Sequence, residues 1–270
     1  MKTEPIASTH TAAESALHDD APAPRLLIPL LVVAAFGLYL ASLTPVIITL
    51  AIRIAGLDPT GKTVALSTVV LIGAVVTIAA LPLCGALSDR TRGRFGRRRP
   101  WLVGGSIVGL IGLALAGALP SVAAVTVGFA IASLGYAAAF AGFLPLIPEF
   151  VPDHLRARLS GLIGFVVAFA VLAGVFLGSQ LVAYPLTMLT LPAAVGVLAA
   201  VGLAIVIRKV DRPLSVRFPR FGAREFLASY WLRTGGDRDF AWNWVSRLLV
   251  GVAYVGVQTF AVFFLTDTPG

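Results

Sequence analysis

Apolar residues run along this chain in seven long stretches, at about 26–52, 64–87, 100–119, 121–148, 160–183, 186–207 and 243–266, separated mostly by short polar segments. About 20 predominantly apolar residues suffice for a helix to cross hydrocarbon, whereas barrel strands would read as short alternating segments. The pattern therefore predicts an all-α polytopic membrane protein with seven spans. Residues 1–24 are polar, rich in Ala, Pro and acids, and lack a periodic apolar face, so they read as a disordered tail. No basic segment leads directly into a short apolar core with a cleavage site, so no signal peptide is expected. The one long polar interruption, 208–242, divides six spans from the seventh, which occupies 243–270 with its short tail. Within it, Phe226, Leu227, Tyr230 and Trp231 share one helical face, with Arg224 and Arg233 off that face. Such a segment either lies in the membrane interface or packs on the ends of the spans, and the pattern leaves both open.

Composition agrees. Hydrophobic residues make up 58% of the chain and charged residues only 13%, with a mean hydropathy of +0.92; soluble domains carry roughly 25% charged residues. The formal charge of +8 raises nucleic acid as a partner, but the basic residues sit in blocks between apolar runs, where loop topology explains them. With the N-terminus inside, 18 of the 21 basic residues fall in cytoplasmic segments and only Arg53 and Lys62 outside, Arg247 lying within the seventh run. The expected location is the cytoplasmic (inner) membrane, multi-pass, with the N-terminus cytoplasmic. Cys84 is the single cysteine and lies in an apolar run, so a disulfide scaffold is excluded and a packing role is expected.

The densest chemistry lies between the second and third runs, in GALSDRTRGRFGRRRP at 85–100. Gly85 near the end of a span permits close approach of a neighbouring helix. Asp89 lies one turn further on the same face, where the helix leaves hydrocarbon, and suits a helix N-terminus or an arginine. Gly96 permits a tight turn and Pro100 suits the first turn of the third span. Arg90, Arg92, Arg94, Arg97, Arg98 and Arg99 exceed what topology requires, and anionic lipid is a natural contact for them. Glu149, closing the fourth run, is placed to pair with Arg90 or Arg97, or to stay solvated.

This spacing resembles the loop signature of the major facilitator superfamily, Gly-x-x-x-Asp-Arg followed by Gly-Arg-Arg. The longer form, with Ser88-Asp89 and FGRRRP at 95–100, is similar to the glycoside–pentoside–hexuronide cation symporters and the sucrose-transporter-like proteins. PDHLRARLSG at 152–161 is similar to the family's loop after span four, and DFAWNWVSR at 239–247 to its approach to span seven, so the resemblance covers about 25–266. It implies a six-helix half-bundle, 25–207, built as 3+3 inverted repeats, plus a linker and the first helix of a second half. Pro45 and Pro145, late in spans one and four, echo such a repeat. It also implies a secondary transporter of a small polar solute such as a sugar or glycoside, working by alternating access, with a proton or sodium ion as coupling cation. In that setting Gly85, Asp89, Arg90, Gly96, Arg97, Arg98 and Glu149 form a cytoplasmic gate. Where many proton-coupled members carry an arginine in span four, this chain has Ile131, and Gly135-Tyr136-Ala137 lacks the family's second glycine. The middles of all spans lack Asp, Glu and Lys, the usual coupling groups. One half does not enclose a central cavity. The chain therefore reads first as the N-terminal part of a longer transporter, then as a truncated product or a subunit needing a partner.

Candidate pathway residues are neutral. Asn243, Arg247, Gly251, Tyr254 and Gln258 form one stripe along span seven, which faces protein or water rather than lipid. Tyr39 in span one, Tyr136 in span four and Gln180 in span five are further candidates, since aromatic faces and hydroxyls suit sugars. Packing competes for every one of them, as it does for Ser42, Thr44, Ser133 and Ser179. No catalytic residue, metal or cofactor is expected: HExxH and GxSxG are absent, and His10, His18 and His154 are scattered outside the spans. A seven-helix receptor is the alternative reading. Known receptors of the G-protein-coupled kind place the N-terminus outside, and a retinal protein needs a lysine in the last span, where none occurs.

Overall fold

A computed structural model describes residues 26–91, 93, 95–209 and 238–267. The tail 1–24, the aromatic segment within 221–233 and most of the 208–242 linker lie outside the described residues. What is described is helical throughout: α1 (Leu27–Leu57), α2 (Lys62–Arg90), α3 (Arg99–Ala118), α4 (Val122–Phe150), α5 (Asp153–Gln180), α6 (Pro185–Val206) and α7 (Arg238–Asp267). The chemistry of the solvent demands this, because hydrocarbon offers no partner for a backbone N–H or C=O and a helix satisfies both internally. Among the described residues α1 to α6 are long and apolar enough to cross a membrane, while α7 has a shorter apolar stretch, Val245–Val257.

Local signals set the ends. Asp58 Oδ1 accepts from the Gly61 amide at 2.8 Å just ahead of α2, and the Ser121 side chain accepts from the Ala124 amide at 3.1 Å to cap α4. Pro100 and Pro185 occupy first turns, where a missing N–H costs nothing. Helix α5 starts at Asp153, ahead of the apolar run from about 160, and its polar first turn carries an Asp153–Arg156 ion pair of 2.6 Å. Two helices are interrupted at proline. In α1, Pro45–Thr49 is a π-helical stretch in which the Leu50 amide reaches back to the Pro45 carbonyl. In α4, the helix stops at Phe143, turns through Leu144 and Pro145, and resumes as Leu146–Phe150.

Packing displays an internal repeat. Helix α4 packs on α2 and α3, α1 packs on α5 and α6, and α3 packs on α6. Exchanging α1 with α4, α2 with α5 and α3 with α6 maps this set of contacts onto itself. Burial follows the same exchange: the apolar windows of α1 and α4 are 56% and 50% buried, those of α3 and α6 44% and 39%, and those of α2 and α5 22% each. Because successive spans reverse direction, the second triplet is inverted relative to the first.

Small residues make the closest contacts. A methyl group on Gly105 or Gly135 would strike the facing backbone, so α3 and α4 touch nearly backbone to backbone. The interior divides into two main clusters. One, around Leu50, Leu66, Phe129 and Leu189, lies at the end away from the arginine loop; the other, around Leu31, Leu102, Phe143 and Leu203, lies beneath that loop. Cys84 is buried with Ala80, Ala137 and Ala141 between α2 and α4, as its packing reading expects.

Candidate functional site

The arginine loop closes one end of the bundle through side chains from three helices. Helix α2 ends in Ser88-Asp89-Arg90, and the chain then turns at Gly96, whose amide bonds the Gly93 carbonyl at 3.1 Å. Gly96 has φ of 88°, the left-handed conformation that an L side chain rarely takes. That turn directs the next two arginines inward, where they are 8% and 3% exposed.

Both arginines find acids. Arg98 donates from Nη1 to Asp89 Oδ1 at 2.7 Å and to Ser88 Oγ at 3.2 Å, and from Nη2 to Glu149 Oε1 at 2.6 Å. Arg97 donates from Nη2 to the same Glu149 oxygen at 2.5 Å, and its Nη1 lies 3.9 Å from Asp89 Oδ1. Glu149 comes from the short helical piece after Pro145, so the break in α4 places it over the end of α2. Two cations and two anions cancel, which is the condition for holding guanidinium groups out of water. The acids keep some contact with solvent, Asp89 at 41% and Glu149 at 27% side-chain exposure. A partly wet, charge-neutral cluster is strong enough to hold α2, α3 and α4 together yet open to competition from water.

Among the other gate candidates, Gly96 sets the turn of the loop. Arg90 turns back to the Ala86 carbonyl of its own helix at 2.8 Å, and Glu149 takes Arg97 and Arg98. A Cβ added to Gly85 meets nothing within 4 Å, so the described helices do not make a close approach there. Sequence reasoning missed two contributors: Ser88, which is fully buried, and the Trp101 indole, which donates to Thr91 Oγ1 at 2.7 Å and pins the end of α2 to the start of α3.

The comparisons with known proteins bear on what such an end closure belongs to. A sequence model of the Major Facilitator Superfamily matches residues 27–268, nearly the whole described chain. The chain belongs to the Major Facilitator Superfamily. It is also 50% identical, over 40 residues, to an uncharacterized symporter of Synechocystis; the match covers 15% of this chain and 7% of that protein. The chain is thus a multi-pass member of a family of membrane transporters.

In this major facilitator bundle the pathway candidates occupy different surroundings. Tyr39 is half-buried in α1, its ring 5.0 Å from that of Phe140 in α4 and inclined by 52°. Tyr136 is buried between α3 and α4 with its ring against Gly109, and its hydroxyl finds no hydrogen-bond partner among the described residues. Gln180 is exposed at the end of α5. Tyr254 and Gln258 lie on α7; their side chains are outside the described residues. Arg247 and Asn243 on α7 are exposed, and α7 packs against the Pro45–Leu57 part of α1, where Phe260 meets the core. Ser42, Thr44 and Ser179 bond carbonyls of their own helices, at 3.5, 2.6 and 2.8 Å. At the opposite end, Asp58 accepts from Gly61 and also from Thr60 Oγ1 at 3.0 Å; the Gly61 amide first, then the hydroxyl, holds its carboxyl below the usual range. Among the described residues no group of three or more His, Cys, Asp or Glu is arranged to hold a metal ion.

Proposed function

We propose that this chain forms one half of an alternating-access transporter for a small polar solute, a sugar or glycoside. The end carrying the arginine loop faces the cytoplasm of the inner membrane, as the positive-inside rule assigns it. The cluster of Asp89, Arg97, Arg98 and Glu149, with Ser88 beneath it, is the cytoplasmic gate: it holds that end closed in one state and separates in the other. Arg90, Gly85 and Gly96 shape the loop around it. A second six-helix half, in the same or a partner chain, completes the solute site near the midplane, and Tyr39, Tyr136, Gln180, Tyr254 and Gln258 are this half's candidates for lining it. A proton or sodium ion drives the movement, through groups outside the acid-free middles of these spans. The chain is a carrier, not an enzyme.

One observation carries the reading: a charge-neutral cluster, partly wet, joins three helices at one end of a transporter-family half-bundle. The sugar assignment is supported by the loop form at 95–100 and its likeness to the sugar-transporting branches, and coupling by the name of the symporter relative. The test uses protein taken from its native membrane and reconstituted into vesicles. Labelled mono- and disaccharides are offered under an imposed proton or sodium gradient. Saturable uptake of one sugar, accelerated by one of the gradients, is the expected result. No sugar uptake by correctly inserted protein overturns the substrate class, and uptake indifferent to both gradients overturns coupling.

A further inference from the structure

Three consecutive arginines open α3, and the third goes where the first two do not. Arg99 donates from Nε to the Ala204 carbonyl at 2.7 Å and from Nη1 to the Phe95 carbonyl at 3.3 Å. Ala204 lies in the last turn of α6, where helix carbonyls run out of intrahelical donors. Helix α6 has no basic residue in its own last turn, and the Ile207 amide serves Leu203 and Ile205 instead. Arg99 therefore caps α6 from another helix, with its positive charge at the negative end of the helix dipole. Its second bond holds the carbonyl just before Gly96, the residue whose left-handed turn sends Arg97 and Arg98 inward. One planar group thus touches the hinge of the charged cluster and the end of α6. Beyond that end the chain leaves through Ile207–Lys209 towards α7.

We propose that Arg99 is a positioning residue, transmitting the state of the Asp89, Arg97, Arg98 and Glu149 cluster to the end of α6 and the segment that joins the next helix. The proposal rests on reading that cluster as a gate, but its test needs no solute. The full chain is placed in lipid nanodiscs, and amide hydrogen exchange is followed in peptides covering 204–209. Arg99→Gln is expected to speed exchange there about tenfold, the size of one lost charge-assisted hydrogen bond. Asp89→Asn, on a different helix from these amides, is expected to speed them when Arg99 is present and to add nothing in the Arg99→Gln background. Arg99→Lys keeps a cation at the α6 end but has no planar fork to hold two carbonyls. It should restore slow exchange at 204–209 while still blocking the response to Asp89→Asn. This variant also keeps the test decisive if Arg99→Gln fails to fold. Unchanged exchange in Arg99→Gln, or an equal response to Asp89→Asn with arginine and with lysine at this position, overturns the proposal. Failure of the transport reading would show separately, as absent uptake by wild-type protein whose exchange pattern is as expected.

Discussion

The two three-helix repeats share a packing plan and differ in chemistry. Helices α1–α3 and α4–α6 bury corresponding shares of their surfaces and touch corresponding partners. Their second connections do not correspond in content. The α2–α3 connection carries six arginines between Arg90 and Arg99, whereas the α5–α6 connection is the short uncharged stretch from Leu181 to Tyr184. Small residues and apolar bulk are therefore enough to specify the bundle twice over. The dense charge sits at the arginine-loop end, where it ties the repeats together, because Glu149 comes from the second repeat and Asp89 and both arginines from the first.

The largest effect should come from the packing that both repeats share. Gly135→Leu forces a side chain of α4 into the α3 backbone, and Gly196→Leu forces one of α6 into the α1 backbone, at the contact that the repeat exchange makes equivalent. Each should cost about 3 kcal/mol and reduce folded yield from membranes in parallel, read by thermal aggregation in detergent. If only one of the pair suffers, the repeats are not equivalent in packing. Next comes the seam between repeats. Glu149→Gln leaves two buried guanidinium groups short of an anion and should cost about 1–3 kcal/mol, while Asp153→Asn, an 87% exposed partner of Arg156, should change stability by less than about 0.5 kcal/mol. Asp89→Asn removes the more exposed anion, 41% against 27%, which holds one arginine closely where Glu149 holds two, and should fold. Its expected effect is functional: a population shift of about fivefold towards the inward-open form, with slower uptake, measured by spin-label distances and flux. Unchanged populations and flux would remove Asp89 from the gate.

A smaller effect is expected at Tyr136. Tyr136→Phe removes a buried hydroxyl without a described partner and should raise stability by about 1 kcal/mol. Lost uptake in that variant would place the hydroxyl on the solute path. The smallest effect is at Asp58. Its carboxyl is held below the ordinary range, so its capping contribution is complete above the ordinary carboxylate pKa and fades as pH falls through its lowered value in the folded protein. Asp58→Asn should flatten that acid limb of the stability profile and leave neutral pH almost untouched.

Much of this was legible in the residues. The six membrane-length helices follow from apolar runs, and the breaks in α1 and α4 fall at Pro45 and Pro145, where a missing amide disturbs the ladder. The loop announced a charged cluster containing Asp89 and Arg97. The apolar run marked α5 only from about 160, since the polar turn from Asp153 is helical without being apolar. The division of labour among Arg97, Arg98 and Arg99 was hidden as well. Their identical chemistry says nothing about direction, which comes from Gly96 and from helices distant in sequence. The burial of Tyr136 was hidden too, because the room for its ring comes from Gly109 on a neighbouring helix.

The long sequence separation of the Arg98–Glu149 bond, 51 residues, has a consequence during synthesis. The arginine loop emerges from the ribosome well before its second acid exists. For that interval Arg97 and Arg98 lack Glu149, and a loop rich in Lys and Arg is what keeps a segment from being carried across a membrane. Once α4 has inserted and delivered Glu149, the same two cations are cancelled and drawn under the surface. With the loop on the cytoplasmic side as proposed, the atoms that steer the nascent chain are the same ones that later enter the cluster.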